Sequence, residues 1–83
     1  MKHPAKSHAR VPLGFLPPGR SARLAEVGAV DTAQREQLAA YGLVAGCLLS
    51  VLQQQPMTVI LTEELELALE LAVARETWVE AMS

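Results

Sequence analysis

The sequence predicts a mainly β fold carrying one short inserted helix. Three observations predict it. Leu65, Leu67, Leu69 and Leu71 alternate with Glu64, Glu66, Ala68 and Glu70, a strict period of two. Two shorter runs before it, Cys47 to Leu52 and Met57 to Leu61, are rich in the residues strands favour. Between them and the N-terminal third lies one stretch of strong helix formers, Thr32 to Tyr41, bracketed by Asp31 and Gly42. At 83 residues the chain has room for one domain with one modest core.

Residues 1–12 are polar, basic and proline-bearing, without an apolar period, and are expected to be a flexible tail ahead of a domain at 13–83. Leu13, Phe15 and Leu16 are expected to pack on the core, and Pro17-Pro18-Gly19 marks a turn. From Arg20 to Val27 the pattern is that of a strand. Ala22 and Leu24 share a face, with Ser21 and Arg23 opposite. Glu26 then falls where an apolar residue is due, and a bulge after Leu24 accounts for the slip. Asp31 is a good N-cap, with Gln34 three residues on. Gly42 sits where a left-handed C-terminal cap belongs. Leu38 and Tyr41, one turn apart, are expected to anchor one face of the helix. In the next strand Cys47, Leu49 and Val51 share one face and Leu48, Ser50 and Leu52 the other. Gln53-Gln54-Gln55-Pro56 ends it.

The C-terminal third sets propensity against pattern. Glu, Leu and Ala favour a helix over residues 62–77. Glu at every second position would scatter charge around such a helix and leave no apolar stripe. The period of two therefore predicts a strand through Leu69, a helical turn over Ala72 to Glu76 and a last short strand at Trp78 to Glu80.

Composition narrows the function. Seven basic and nine acidic side chains give a net charge of −2, which argues against nucleic acid, whose binding relies on Lys and Arg neutralising phosphates. The single cysteine, Cys47, cannot cross-link its own chain. No apolar signal core follows Met1-Lys2, and the longest apolar run, Leu43 to Leu52, is well short of the ~20 residues that cross a bilayer. A cytoplasmic protein without direct membrane insertion is expected.

The order and spacing of several residues resemble those of the FeoA family, the ferrous iron transport protein A domain. Arg35 to Gly46, with Leu38, Gly42, Leu43 and Gly46, resembles that family's Arg-x-x-Leu-x-x-x-Gly-Leu-x-Pro-Gly segment. Pro18-Gly19 with Ala22, Leu24 and Val27 resembles its opening strand, and Leu49, Val51 and Pro56 its second strand and stop. Leu67-Ala68-Leu69, then Ala74 and Val79, resemble its closing elements. Four departures stand out. Ala45 replaces the proline, Glu70 stands where arginine is frequent, Gln53–Gln55 replace basic residues, and the hairpin near Thr62-Glu63-Glu64 lacks the usual glycine. The resemblance implies an SH3-like small β-barrel with a helix between its first two strands. It implies structural roles for Gly19, Leu38, Gly42, Leu43, Gly46, Leu67 and Leu69. It also implies an accessory protein of ferrous iron uptake, acting on the cytosolic part of the FeoB-type membrane transporter. Similar domains at the C-terminus of iron-dependent repressors imply an alternative, a free-standing metal-responsive or regulatory domain.

The residues themselves present no catalytic set. The only histidines, His3 and His8, lie in the tail, and Cys47 on its apolar strand is expected to be an inert core thiol. No tightly bound cofactor is expected. Glu64, Glu66 and Glu70, on one face of a strand, offer oxygens suited at most to weak binding of ferrous or another divalent ion. Gly42 and Gly46 follow a helix, whereas a phosphate loop precedes one. Leu48 and Leu52, with Leu71 and Trp78 as possible additions, either cover a second small core under the helix or form an exposed apolar patch. As a patch, Leu48 and Leu52 with the acidic residues Glu64, Glu66 and Glu70 nearby would bind a partner, either the transporter or a second copy.

Overall fold

The computed structural model describes residues 9–63 and 65–82. Six strands form one antiparallel sheet in the order β1-β6-β2-β3-β4-β5: β1 Arg10–Pro12, β2 Ser21–Val27, β3 Leu48–Gln53, β4 Thr58–Leu61, β5 Glu66–Leu69 and β6 Thr77–Met82. A 3-10 turn, Leu13–Phe15, follows β1, and helices α1 Thr32–Ala40 and α2 Leu71–Arg75 follow β2 and β5. The sheet does not close, and β1 and β5 are its edges.

The mainly β architecture predicted from the period-two runs is present, and the contested third is strand, helical turn and strand. The segment expected to be a tail requires a correction. Arg10–Pro12 pairs with β6, Val11 opposite Val79, so the domain starts inside residues 1–12. The apolar period is invisible there because β1 is three residues long and ends in a proline. It also puts α1 between the second and third strands. His3 and His8 lie outside the described residues.

The core lies on the inner sheet face. Leu24 of β2, Leu49 and Val51 of β3, Ile60 of β4, Leu69 of β5 and Val79 of β6 alternate inward, and Leu13 and Leu16 close one end. Two strand irregularities keep the apolar set inward. The β2–β6 register shifts between Leu24 and Glu26, the bulge that the sequence slip predicts. A second shift, between Val51 and Gln53, makes Leu52 an extra residue opposite β4. Beyond it the Gln54 side chain reaches the interior. Its Nε2 donates to the carbonyls of Leu13 (3.0 Å) and Leu16 (2.6 Å), and its Oε1 accepts from the buried hydroxyl of Thr58 (2.6 Å). The other fully buried threonine, Thr77, donates to the Val73 carbonyl at 2.8 Å.

Helix α1 is held chiefly by its ends, since of its nine residues only Leu38 is buried. Asp31 caps it, accepting from the Gln34 N–H at 2.7 Å. At the other end Gly42 has φ +91°, its N–H donates to Ala39 O at 2.9 Å, and the Leu43 N–H donates to Leu38 O at 3.0 Å. This pair of bonds, with Leu38 and Leu43 both in the core, is a Schellman motif. Tyr41, expected to anchor the helix face with Leu38, is instead exposed. Arg35 ties the helix to the preceding loop: its guanidinium donates to the carbonyls of Val27 and Gly28, the latter at 2.7 Å. The β4–β5 turn closes without glycine. Thr62 N–H donates to Leu65 O at 2.8 Å, and the Thr62 hydroxyl accepts from Leu65 N–H at 3.2 Å. A side-chain oxygen thus supplies turn bonds where a flexible backbone is otherwise wanted.

Candidate docking surface

The outer sheet face follows from strand register. Met82 pairs with Ser21, Ser21 with Ser50, Ser50 with Leu61 and Leu61 with Glu66, one row across five strands. Leu48, paired with Arg23, stands two residues along β3 from Ser50 on the same face. Leu48, Leu61 and Met82 are each 40–45% exposed, and the hydroxyls of Ser21 and Ser50 lie 3.2 Å apart between them. The result is an apolar strip with an uncharged polar centre, bordered by Arg23 on one side and Glu66 on the other.

Two open grooves meet on this face. One, of about 470 Å³, runs from Tyr41 past Arg23 and Cys47 to Leu48 and Glu63. The other, of about 330 Å³, runs from Leu48 over Ser21 and Leu61 to Met82. They share Leu48, Thr62 and Glu63. Arg23 is anchored on the wall of the first groove, its Nη1 donating to Gly46 O at 3.2 Å. Gly46 has φ +92° and its N–H bonds Leu24 O at 2.8 Å, so the loop that forms this wall is fixed by backbone conformation.

The sequence-derived site residues separate here. Leu48 and Glu66 belong to the outer face. The face carries no second core under the helix, because both Leu48 and Leu52 are exposed. Leu52 is on the same strand, but at the bulge and outside both grooves. Glu70 does not continue the strand face with Glu66, because β5 ends at Leu69 and Glu70 occupies the N-cap position of α2. Glu64 lies outside the described residues. Leu71 is exposed on α2, and Trp78 is half-buried opposite Pro12 and Glu26 rather than part of the strip. Leu67 and Leu69 face the core from β5.

Leu61, Met82, Arg23 and Tyr41 complete the face, and none of them is among the site residues expected from the sequence. Leu61 was legible in principle, since with Thr58 and Ile60 buried the alternate residues Val59 and Leu61 must face out. Met82 was not, because only cross-strand register brings it to Ser21. Among the described residues no group of three or more His, Cys, Asp or Glu side chains converges on a metal position. Cys47 is half-buried against the core at the groove rim. No helix among the described residues is long and apolar enough to cross a membrane.

The fold is shared with solved proteins of two kinds. A structure titled iron uptake regulatory protein (FeoA) superposes with a TM-score of 0.78 at 24% identity, covering 89% of this chain and all of that one. The FeoA protein of Chlorobium tepidum gives 0.81 at 26% identity, covering 88% of this chain and 71% of that one. The T. acidophilum IdeR structure gives 0.83 at 18% identity, covering 95% of this chain but only 37% of that one. A search of curated proteins gives no match. The FeoA domain model matches residues 11–81, from within β1 to within β6. The chain belongs to the FeoA domain family, and its six-stranded antiparallel sheet with one inserted helix is that family's SH3-like fold.

Proposed function

We propose that this protein is an accessory, non-catalytic binding protein of ferrous iron uptake that docks on the cytosolic part of a FeoB-type transporter. Family membership over residues 11–81 is the observation that carries the reading, because FeoA domains belong to ferrous iron transport systems. The docking surface is the outer-face strip of Leu48, Leu61 and Met82 with Glu66 at its rim. Exposed apolar side chains lining an open groove, with polar groups set among them, are a usual mark of a binding site. Iron is the transporter's cargo, and this chain holds it weakly or not at all. The protein works in the cytoplasm, at the membrane only through its partner. Docking shifts the transporter between conformations through differential affinity for them, so uptake changes by a few-fold to ~100-fold, in line with coupling of ~1–3 kcal/mol.

The test is radiolabelled ferrous iron uptake in cells lacking the gene, complemented with the parent chain or with Leu48→Lys. Uptake under iron limitation falls on deletion, returns with the parent and does not return with a folded Leu48→Lys. Unchanged uptake on deletion, with no transporter co-purifying, sinks the reading.

One observation favours a second reading, a metal-responsive regulatory domain: the fold likeness to IdeR and to a manganese-dependent transcriptional repressor, the latter at a TM-score of 0.81. Calorimetric titration of ferrous iron separates the two. A sub-micromolar constant favours the regulatory domain.

A further inference from the structure

We infer that the open edge of β5 is a second docking site, which does not rest on the transporter reading although it borders the outer-face strip at Glu63 and Glu66, and that it takes an extended, lysine- or arginine-bearing polypeptide segment as a seventh strand. The two edges of the sheet differ. β1 is three residues long, ends in Pro12, which has no N–H to donate, and carries Arg10 already paired with Glu26 (3.3 Å) and Glu80 (3.6 Å). β5 has four residues, no proline and one strand neighbour.

Its outward groups follow from the register. Thr62 and Leu65 share a hydrogen-bonded position at the turn. Alternation along an antiparallel ladder then makes Ile60–Leu67 and Thr58–Leu69 the bonded pairs with β4. The N–H and C=O groups of Glu66 and Ala68 therefore point away from the sheet. Beside them runs a groove of about 190 Å³ between β5 and α1, whose far wall carries Gln34 and Gln37. Neither glutamine side chain makes a hydrogen bond among the described residues, so both amides are free to bond the far side of an inserted strand.

Charge selects the occupant. Glu63, Glu66 and Glu70 flank this edge, all exposed, and none forms an ion pair among the described residues. A second copy paired through its own β5 would set these carboxylates against one another, which is unfavourable. A segment with basic side chains on the Glu66 face and apolar ones on the Leu67 face is complementary on both. This is strand addition, in which main-chain bonds supply affinity and alternate side chains supply specificity.

Fluorescence anisotropy with the full chain and a fluorescein-labelled hexapeptide of alternating lysine and valine tests the inference. The matching glutamate–valine hexapeptide is the control. The basic peptide binds, binding weakens as salt rises, and the acidic peptide binds about tenfold or more weakly. Amide hydrogen exchange slows at Glu66 and Ala68 on binding. Ala68→Pro removes one outward donor and no ladder bond, so it abolishes binding while the thermal midpoint stays within a few degrees. Should Ala68→Pro unfold the chain, Glu66→Lys/Glu70→Lys serves instead and reverses the peptide preference. Equal binding of both peptides, protection at Leu48 and Leu61 in place of Glu66 and Ala68, or a dimer of the protein that Ala68→Pro dissolves would each overturn it.

Discussion

Replacing Gly42 tests whether α1 is held by its C-terminal cap. The residue sits at φ +91°, and a Cβ built there meets no atom within 4 Å. The cost of a side chain is therefore backbone strain and not a clash. For an L-residue the left-handed conformation costs roughly 1–2 kcal/mol. Losing glycine's freedom in the unfolded chain offsets about 0.4–1 kcal/mol of that. Gly42→Ala should therefore destabilise by up to about 1.6 kcal/mol, centred on ~0.8 kcal/mol. Gly42→Val should cost at least ~1 kcal/mol, because a β-branched residue is a stronger outlier at positive φ. Gly42→Asn should cost least, since asparagine tolerates this region. A chain of this size is stable by about 4–12 kcal/mol and loses roughly 4–8 °C in Tm per kcal/mol, so valine is resolvable by thermal denaturation. The expected order is Gly above Asn, Asn above Ala, and Ala above Val. Equal midpoints for Gly42 and Gly42→Val would refute the cap. A valine cost well above ~3 kcal/mol would show that a steric contact, absent from this geometry, is at work.

Three further outcomes follow from the same geometry. Gln54→Ala strips the donor from the Leu16 carbonyl and the acceptor from the buried Thr58 hydroxyl, while the Leu13 carbonyl keeps the Leu16 N–H, and should cost about 1–3 kcal/mol in urea denaturation; adding Thr58→Val should recover part of it, so strict additivity would count against the link. Arg10→Ala removes two surface ion pairs and should change stability by less than ~1 kcal/mol. Sedimentation at micromolar concentration should show self-association of the parent through the outer-face strip, weakened in Leu48→Lys at unchanged fold stability; a monomeric parent counts against an apolar interface.

What the sequence made legible is whatever period and local stereochemistry control. The strand from Glu66 to Leu69, the bulge after Leu24, the Asp31 cap and the glycine at Gly42 all leave marks within a few residues. What it hid depends on residues distant in the chain. β1 exists because β6 pairs with it, and no local signal announces a three-residue strand ending in proline. Tyr41 looked like a partner of Leu38 at helical spacing, but the Schellman turn brings Leu43 to Leu38 and leaves Tyr41 outside. The acidic series looked continuous because Glu66 and Glu70 keep the period. The chain leaves the strand at Leu69, and the two carboxylates part. The outer-face strip joins Met82 to Leu61 across four strands, a relation that only register creates.

The departures from the family pattern gain a physical meaning from these contacts. Gln54 stands where basic residues are frequent, and its amide does what a cation could do only in part. The Leu16 carbonyl needs a donor, the Leu13 carbonyl takes a second one beside the Leu16 N–H, and the Thr58 hydroxyl needs an acceptor, which an ammonium or guanidinium group lacks. The glutamine run is therefore a structural choice linked to the buried threonine on β4. Thr62 likewise substitutes a hydroxyl for a flexible backbone at the β4–β5 turn. Glu70 is different, since its side chain makes no capping bond to α2 and no ion pair among the described residues. It is an exposed carboxylate just past the end of β5, one of those the proposed basic segment would meet. Replacing Gln54 should thus act on stability and spare binding. Replacing Glu70 should spare stability and act on binding of a basic segment, and the reverse pattern would show that the two roles have been exchanged.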